Sequence, residues 1–333
     1  MIFNEPMDND GVSDTKISAP LRVLLVDDEV RILRALRAVL RAHDVLMTSD
    51  PREAVKLAQD HDIDVVICDQ RMPYMLGVEV LRDIKAVHPR AMRILLTGYS
   101  DLQSVLASVN EGEIFRFVYK PWDNNELRDI VQQAGTIARE SPVIAIDQLP
   151  TKEYDRARNE VGVLVIEDDV AVQQRLREIL QPYYKVRFAN NLERGLQILE
   201  QFEIGVIISE IEAGHTDMTG FLKAIKQFHP QIATVIVTEK ANAQLAIELI
   251  NEGQVYRMLL KPVRLGSCRL CIEAALGRYW QLKQNPQAAR RYIVTAAHDA
   301  EDLKPPMGLP LALFNRIRAL PGRLLGLASK PQF

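Results

Sequence analysis

An internal repeat constrains this chain more than any other feature. Leu24-Leu25-Val26-Asp27-Asp28-Glu29-Val30 returns 140 residues later as Leu164-Val165-Ile166-Glu167-Asp168-Asp169-Val170, and after one inserted residue the spacing settles at 141. His88-Pro89 then matches His229-Pro230, Thr97 matches Thr238, Asn110-Glu111-Gly112 matches Asn251-Glu252-Gly253, and Lys120-Pro121 matches Lys261-Pro262. A register held over so many positions means two copies of one structural unit. The length of 333 residues agrees, because single cores rarely grow much beyond about 200 residues before a chain splits. The expected organisation is a disordered N-terminus at 1–19, a first domain at 20–140, a linker at 141–159, a second domain at 160–283 and a basic tail at 284–333.

Each copy alternates short apolar runs with amphipathic stretches, the pattern of strands and helices in a parallel sheet. In the first copy the strands read 23–26, 45–48, 65–68, 94–96 and 117–119. Between the first two, Ile32, Leu33, Leu36, Val39 and Leu40 share one helical face, and Arg31, Arg34, Arg37 and Arg41 share the other. Asp50-Pro51-Arg52-Glu53 supplies a cap, a proline at the first helical position and an acid in the first turn, which starts the next helix. Five such strands predict an α/β fold with two doubly wound, flavodoxin-like (βα)5 domains. In folds of this kind ligands bind beyond the carboxyl ends of the strands.

Chemistry-bearing residues gather at those ends. The first strand closes on Asp27-Asp28, the third on Asp69, the fourth on Thr97 and the fifth on Lys120-Pro121. Three carboxylates at one sheet edge repel one another unless a cation neutralises them, and an all-oxygen, carboxylate-rich, open site suits Mg²⁺. The set also matches phosphoryl transfer, which needs a positioned oxygen nucleophile and cations or donors for the equatorial oxygens. Asp69 reads as the nucleophile, Asp28 and Asp69 as direct metal ligands, Asp27 as a ligand through water, Thr97 as a hydroxyl donor and Lys120 as the cation.

The motifs Val-Asp27-Asp28-Glu, Ile-Cys-Asp69-Gln-Arg-Met-Pro73, Leu-Leu-Thr97-Gly and Lys120-Pro121 together resemble the receiver (CheY-like) domain of bacterial response regulators, over roughly residues 20–140. The resemblance implies that Asp69 takes a phosphoryl group from a sensor histidine kinase or phosphotransfer protein with Mg²⁺ bound. It also implies that the backbone carbonyl of Arg71 completes the metal site, and that Thr97 and Phe117 form the switch pair.

Residues 160–283 resemble the same family, with Glu167, Asp168, Thr238 and Lys261 in the matching places. The acceptor position holds Glu210 instead of aspartate, and Met258 stands where the first copy has Phe117. A longer side chain displaces the carboxylate by about a bond length, and misplacement on the order of 1 Å can cost about 100-fold in rate. Three readings stay open for Glu210: metal binding with Asp168, extension toward Lys261, or a degenerate domain kept for interaction.

The balance of 41 basic and 44 acidic residues, net charge -3, offers no global field for nucleic acid or membrane. Three cysteines cannot build a disulfide framework, and Cys268 and Cys271, a CxxC in a helical pattern without a second pair, read as structural. No signal-like or membrane-length apolar run occurs, so the expected location is the cytoplasm. From Leu303 onward the bases Lys304, Arg316, Arg318, Arg323 and Lys330 interleave with apolar residues, while Pro305, Pro306, Pro310 and Pro321 prevent one long helix. That composition fits either a disordered tail or a basic element that docks on a partner or an anionic membrane surface. No DNA-binding motif or other effector is recognisable there. The expected function is a non-enzymatic phosphorelay regulator that switches a protein–protein interface, with an unknown downstream partner and a receiver dimer as further expectations. The alternatives are a constitutive scaffold and an aspartate-nucleophile phosphatase.

Overall fold

The computed structural model describes residues 19–98, 114–140, 159–213, 216–238, 248–251, 255–286, 288–289 and 304–321. The expected N-terminal and linker segments lie almost wholly outside them.

The first domain runs β1 (Arg22–Val26), α1 (Val30–Val39), β2 (Asp44–Thr48), α2 (Pro51–Asp60), β3 (Val65–Asp69), α3 (Gly77–Val87), β4 (Met92–Thr97), β5 (Arg116–Tyr119) and α4 (Asn124–Glu140). Its five strands are parallel and lie in the order β2-β1-β3-β4-β5. The predicted strands are all present. The helix starts obey local chemistry: Asp50 caps α2 by accepting from the Arg52 amide, with Pro51 at the first helical position.

Alternation along the strands splits the core in two. Val23, Leu25, Val65, Ile67, Ile94, Leu96 and Val118 face α1 and α4, meeting Leu33, Leu36, Leu127 and Val131. Leu24, Val26, Val66, Cys68, Leu95 and Phe117 face the other way, with Ala54, Ala58, Leu81 and Ile84 of α2 and α3. A parallel sheet covered on both faces has no solvated side, so its polar residues can collect only at strand ends and loops. Arg31, Arg34, Arg37 and Arg41 are all exposed, as the periodicity predicts.

The second domain repeats the plan with β6 (Gly162–Ile166), α5 (Val170–Leu180), β7 (Lys185–Ala189), α6 (Leu192–Gln201), β8 (Ile204–Ser209), a short antiparallel pair β9 (Glu212–Ala213) and β10 (Thr216–Asp217), α7 (Thr219–Phe228), β11 (Ala233–Thr238), β12 (Arg257–Leu260) and α8 (Leu265–Gln284). Its main sheet, β12-β11-β8-β6-β7, has the same strand order read from the opposite edge.

The C-terminal segment departs from a free tail. Leu311–Ala319 forms helix α9, which packs on α7. Phe314, 1% exposed, meets Phe228 edge-on with ring centroids 5.2 Å apart. Arg316 reaches Glu193 at 2.7 Å and Glu200 at 2.7 Å on α6. The repeated histidines have diverged here. His88 Nε2 lies 2.9 Å from the Ile63 carbonyl of its own domain, whereas His229 Nε2 lies 2.9 Å from the Ile317 carbonyl of α9. Arg316 is thus paired with acidic side chains of the same chain; Arg323 and Lys330 lie outside the described residues.

Candidate functional site

Sheet order brings the sequence-predicted residues of the first domain to one edge. Asp27 follows β1, Asp69 ends β3, Thr97 ends β4 and Lys120 follows β5. Register sets their spacing, with Asp69 opposite Leu96 and Thr97 opposite Tyr119. The Lys120 amide donates to the Thr97 carbonyl at 3.0 Å, fixing where the lysine leaves the sheet.

Lys120 Nζ lies 2.6 Å from Asp69 Oδ1 and 2.7 Å from Asp27 Oδ2. Each carboxylate also accepts a backbone amide: Asp69 Oδ2 from Arg71 at 2.8 Å, and Asp27 Oδ1 from Glu29 at 2.9 Å. Burial pushes the Asp27 carboxyl above its usual range, against the pull of Lys120. Burial alone would lower Lys120, but its bonds to Asp27 and Asp69 outweigh that and raise it. Thr97 is fully buried, and its hydroxyl donates to the Gly98 carbonyl at 3.0 Å. Phe117 is 2% exposed.

The loop after Asp69 holds a residue that the sequence reading missed. A methyl group at Gly77 would stand 2.0 Å from the Asp69 carbonyl oxygen. The Gly77 amide donates to the Gln70 carbonyl at 3.0 Å. Only glycine lets the start of α3 close so tightly against the backbone of Asp69. The single signal in the sequence was a glycine eight residues after Asp69, at the onset of an apolar helical pattern.

Among the described residues no group of three or more His, Cys, Asp or Glu side chains is spaced to hold a metal by itself. Asp27 and Asp69 do meet at this edge, bridged by Lys120. The donors present still fit Mg²⁺, which binds through one or two carboxylates and keeps several waters. A buried Asp27 whose proton affinity stays raised beside Lys120 marks an edge where more positive charge is favourable.

The second domain reproduces this geometry with longer acids. Lys261 Nζ is 2.8 Å from Glu167 Oε2 and 2.6 Å from Glu210 Oε2. The Ile211 amide donates to Glu210 Oε1 at 3.1 Å, and the Lys261 amide to the Thr238 carbonyl at 3.1 Å. Burial again raises the acid, Glu167, and bonds to Glu167 and Glu210 raise Lys261. Asp168 is exposed, and Asp169 serves as a helix cap, accepting from the Ala171 and Val172 amides. Cys268 and Cys271 are buried in α8 with their thiols pushed up to about 12 by burial, which keeps them protonated and poor metal ligands.

The model of the response regulator receiver domain matches residues 23–132 and again 163–272. The chain belongs to this family, as two receivers in tandem. The receivers of this family serve two-component phosphorelay signalling. They bind Mg²⁺ at their phosphorylation site, interact with histidine kinases or phosphotransfer proteins, and can dimerise.

Among curated relatives, the hydrogenase transcriptional regulatory protein HoxA of Bradyrhizobium diazoefficiens is 36% identical over 118 residues, 35% of this chain and 24% of that protein. HoxA of Cupriavidus necator is 42% identical over 113 residues, 34% of this chain and 23% of that protein. The chain thus spans about a quarter of the length of these two relatives. The solved signal receiver domain of an HD domain-containing protein from Pseudomonas fluorescens Pf-5 is 34% identical with a TM-score of 0.35, and the match covers 36% of this chain and 98% of that one. No helix among the described residues is long and apolar enough to cross a membrane.

Proposed function

We propose that the first receiver accepts a phosphoryl group on Asp69, that the second does not, and that the chain acts as a cytoplasmic, non-enzymatic regulator through protein contacts. The observation that carries this reading is Lys120 placed between two strand-end carboxylates, 2.6 Å from Asp69 and 2.7 Å from Asp27. That arrangement puts a cation beside an oxygen nucleophile, where a transferred phosphoryl group needs its charge met.

In the proposed step an Asp69 oxygen bonds to phosphorus as the P–N bond of a phosphohistidine donor breaks, the imidazole nitrogen keeping the electron pair. Lys120 leaves its contact with the Asp69 oxygen for a phosphoryl oxygen, and Thr97 turns its hydroxyl from the Gly98 carbonyl toward another. Asp28, Asp69 and the Arg71 carbonyl would hold Mg²⁺, with Asp27 acting through water; the ion supplies charge neutralisation for the phosphoryl oxygens. Glu210 makes the same contacts to its lysine and to a backbone amide as Asp69 does, but through a side chain one methylene longer. Misplacement on the order of 1 Å can cost about 100-fold in rate, which supports a fixed domain over a cycling one.

Incubation with acetyl phosphate and Mg²⁺ tests the assignment. Wild type should be labelled and Asp69→Asn should not; equal labelling of both would transfer the acceptor role elsewhere.

A further inference from the structure

The repeated Asn-Glu-Gly motif is absorbed by nothing in the phosphorylation site, yet its second copy makes a contact 134 positions away. Asn251 ends the helical residues 248–251 of the second receiver. Its Oδ1 accepts the Phe117 amide at 2.8 Å, and its Nδ2 donates to the Phe117 carbonyl at 2.9 Å. Phe117 lies on β5, the terminal strand of the first sheet. A terminal strand exposes a row of unpaired amides and carbonyls ready to take another chain. One side-chain amide, carrying one acceptor and two donors, satisfies both groups of Phe117 as an added strand would. Both distances are in the range of well-formed hydrogen bonds. The Phe117 ring belongs to the apolar cluster that continues into the second receiver.

We infer that the β5 edge of the first receiver is an interaction surface whose partner is the second receiver of the same chain, held through Asn251, and that a phosphoryl group on Asp69 loosens this contact. The second half rests on the Asp69 reading above; the first does not. The coupling follows from register. Thr97 pairs with Tyr119, and its carbonyl holds the Lys120 amide. Lys120 stands three residues after Phe117 and grips both carboxylates. Moving Thr97 and Lys120 onto phosphoryl oxygens shifts the end of β5, and two directional bonds to one backbone residue tolerate little displacement. A modification shifts an equilibrium only through contacts that differ between its states, and these two bonds are such contacts. The edge left free would then be open to an external partner or a second copy.

Hydrogen exchange on the full chain, read by mass spectrometry over residues 114–119 with β3 as the internal control, tests both halves. Asn251→Ala should speed exchange at Phe117 by roughly fivefold to tenfold, the worth of one neutral hydrogen bond, and leave β3 unchanged. If β3 also speeds up, Asn251→Leu replaces it, since that side chain keeps the shape but has neither an acceptor for the Phe117 amide nor a donor for its carbonyl. Unchanged exchange at Phe117 in a folded variant overturns the interface. Beryllofluoride with Mg²⁺ should speed exchange at Phe117 in wild type and add nothing in Asn251→Ala. Slower or unchanged exchange with the analogue bound overturns the coupling. Failure of the analogue to bind overturns the phosphoacceptor reading and the coupling together, while the Asn251 variants still decide the interface.

Discussion

Glu210 Oε2 stands 2.6 Å from Lys261 Nζ, the same separation that joins Asp69 Oδ1 to Lys120 Nζ. The two receivers therefore keep one electrostatic plan while differing by one methylene at the acceptor. If that methylene alone removes the second receiver from the cycle, Glu210→Asp should open a second labelling site. The expected result with acetyl phosphate is that Asp69→Asn stays unlabelled and Asp69→Asn with Glu210→Asp regains label. An unlabelled double variant would mean that the second site lacks more than side-chain length.

Lys120 is the partner that makes a fully buried Asp27 tolerable. Removing one member of a buried pair costs about 3–5 kcal/mol, and the partial exposure of Lys120 points to the lower end. Asp27 is already raised in the fold, so its cost appears above its folded pKa and vanishes below it, where it is protonated. Lys120→Met should thus be close to wild type in urea unfolding near pH 4 and weaker by about 3 kcal/mol near pH 8. A deficit independent of pH would assign the loss to packing.

Gly77 predicts a steric effect without any charge. Gly77→Ala should cost about 1–3 kcal/mol, the usual penalty for overpacking, and reduce labelling of Asp69, because the new methyl meets the Asp69 carbonyl oxygen. Gly98→Ala, with no atom of the described residues within 4 Å of its added carbon, serves as the control and should unfold like wild type. Equal stability of the two variants in denaturant would show that the loop relaxes freely.

Lys226 on α7 is buried, and burial lowers its pKa to about 7 from 10.5. Between those values the unfolded chain binds the proton and the folded chain does not. Stability contributed by this site therefore rises with pH, by at most about 1.4 kcal/mol per unit. Lys226→Met should flatten that rise between pH 7 and pH 10. An unchanged slope would place the ammonium in contact with water.

For α9, magnitudes separate two candidate anchors. The ion pairs of Arg316 are about a third to a half exposed, a class worth about 0.2–1 kcal/mol. Phe314 is buried, and truncating such a ring costs about 3–5 kcal/mol. Limited proteolysis should cut within 304–321 readily in Phe314→Ala and only slightly faster than wild type in Arg316→Ala. The reverse order would make the helix an electrostatic attachment.

What could be read beforehand was whatever depends on neighbours in sequence. The cap at Asp50-Pro51, the arginine face of α1 and the strand-end positions of Asp27, Asp69, Thr97 and Lys120 all follow from periodicity and local chemistry. The contact of Asn251 with Phe117 did not, because a side chain meeting an edge strand 134 residues away leaves no local pattern. The same holds for α9: its basic, apolar composition signalled a docking element, but Glu193, Glu200 and Phe228 could be recognised as its partners only in three dimensions. Gly77 was visible as a letter, and its meaning depended on the approach of α3 to Asp69.

The most direct test of the central claim is to map the acyl phosphate itself. After reaction with acetyl phosphate and Mg²⁺, borohydride reduction converts a phosphorylated aspartate to homoserine, which tandem mass spectrometry locates by residue. The account predicts homoserine at position 69 alone; homoserine at position 28 or 168, or reduction products at 210, would contradict it.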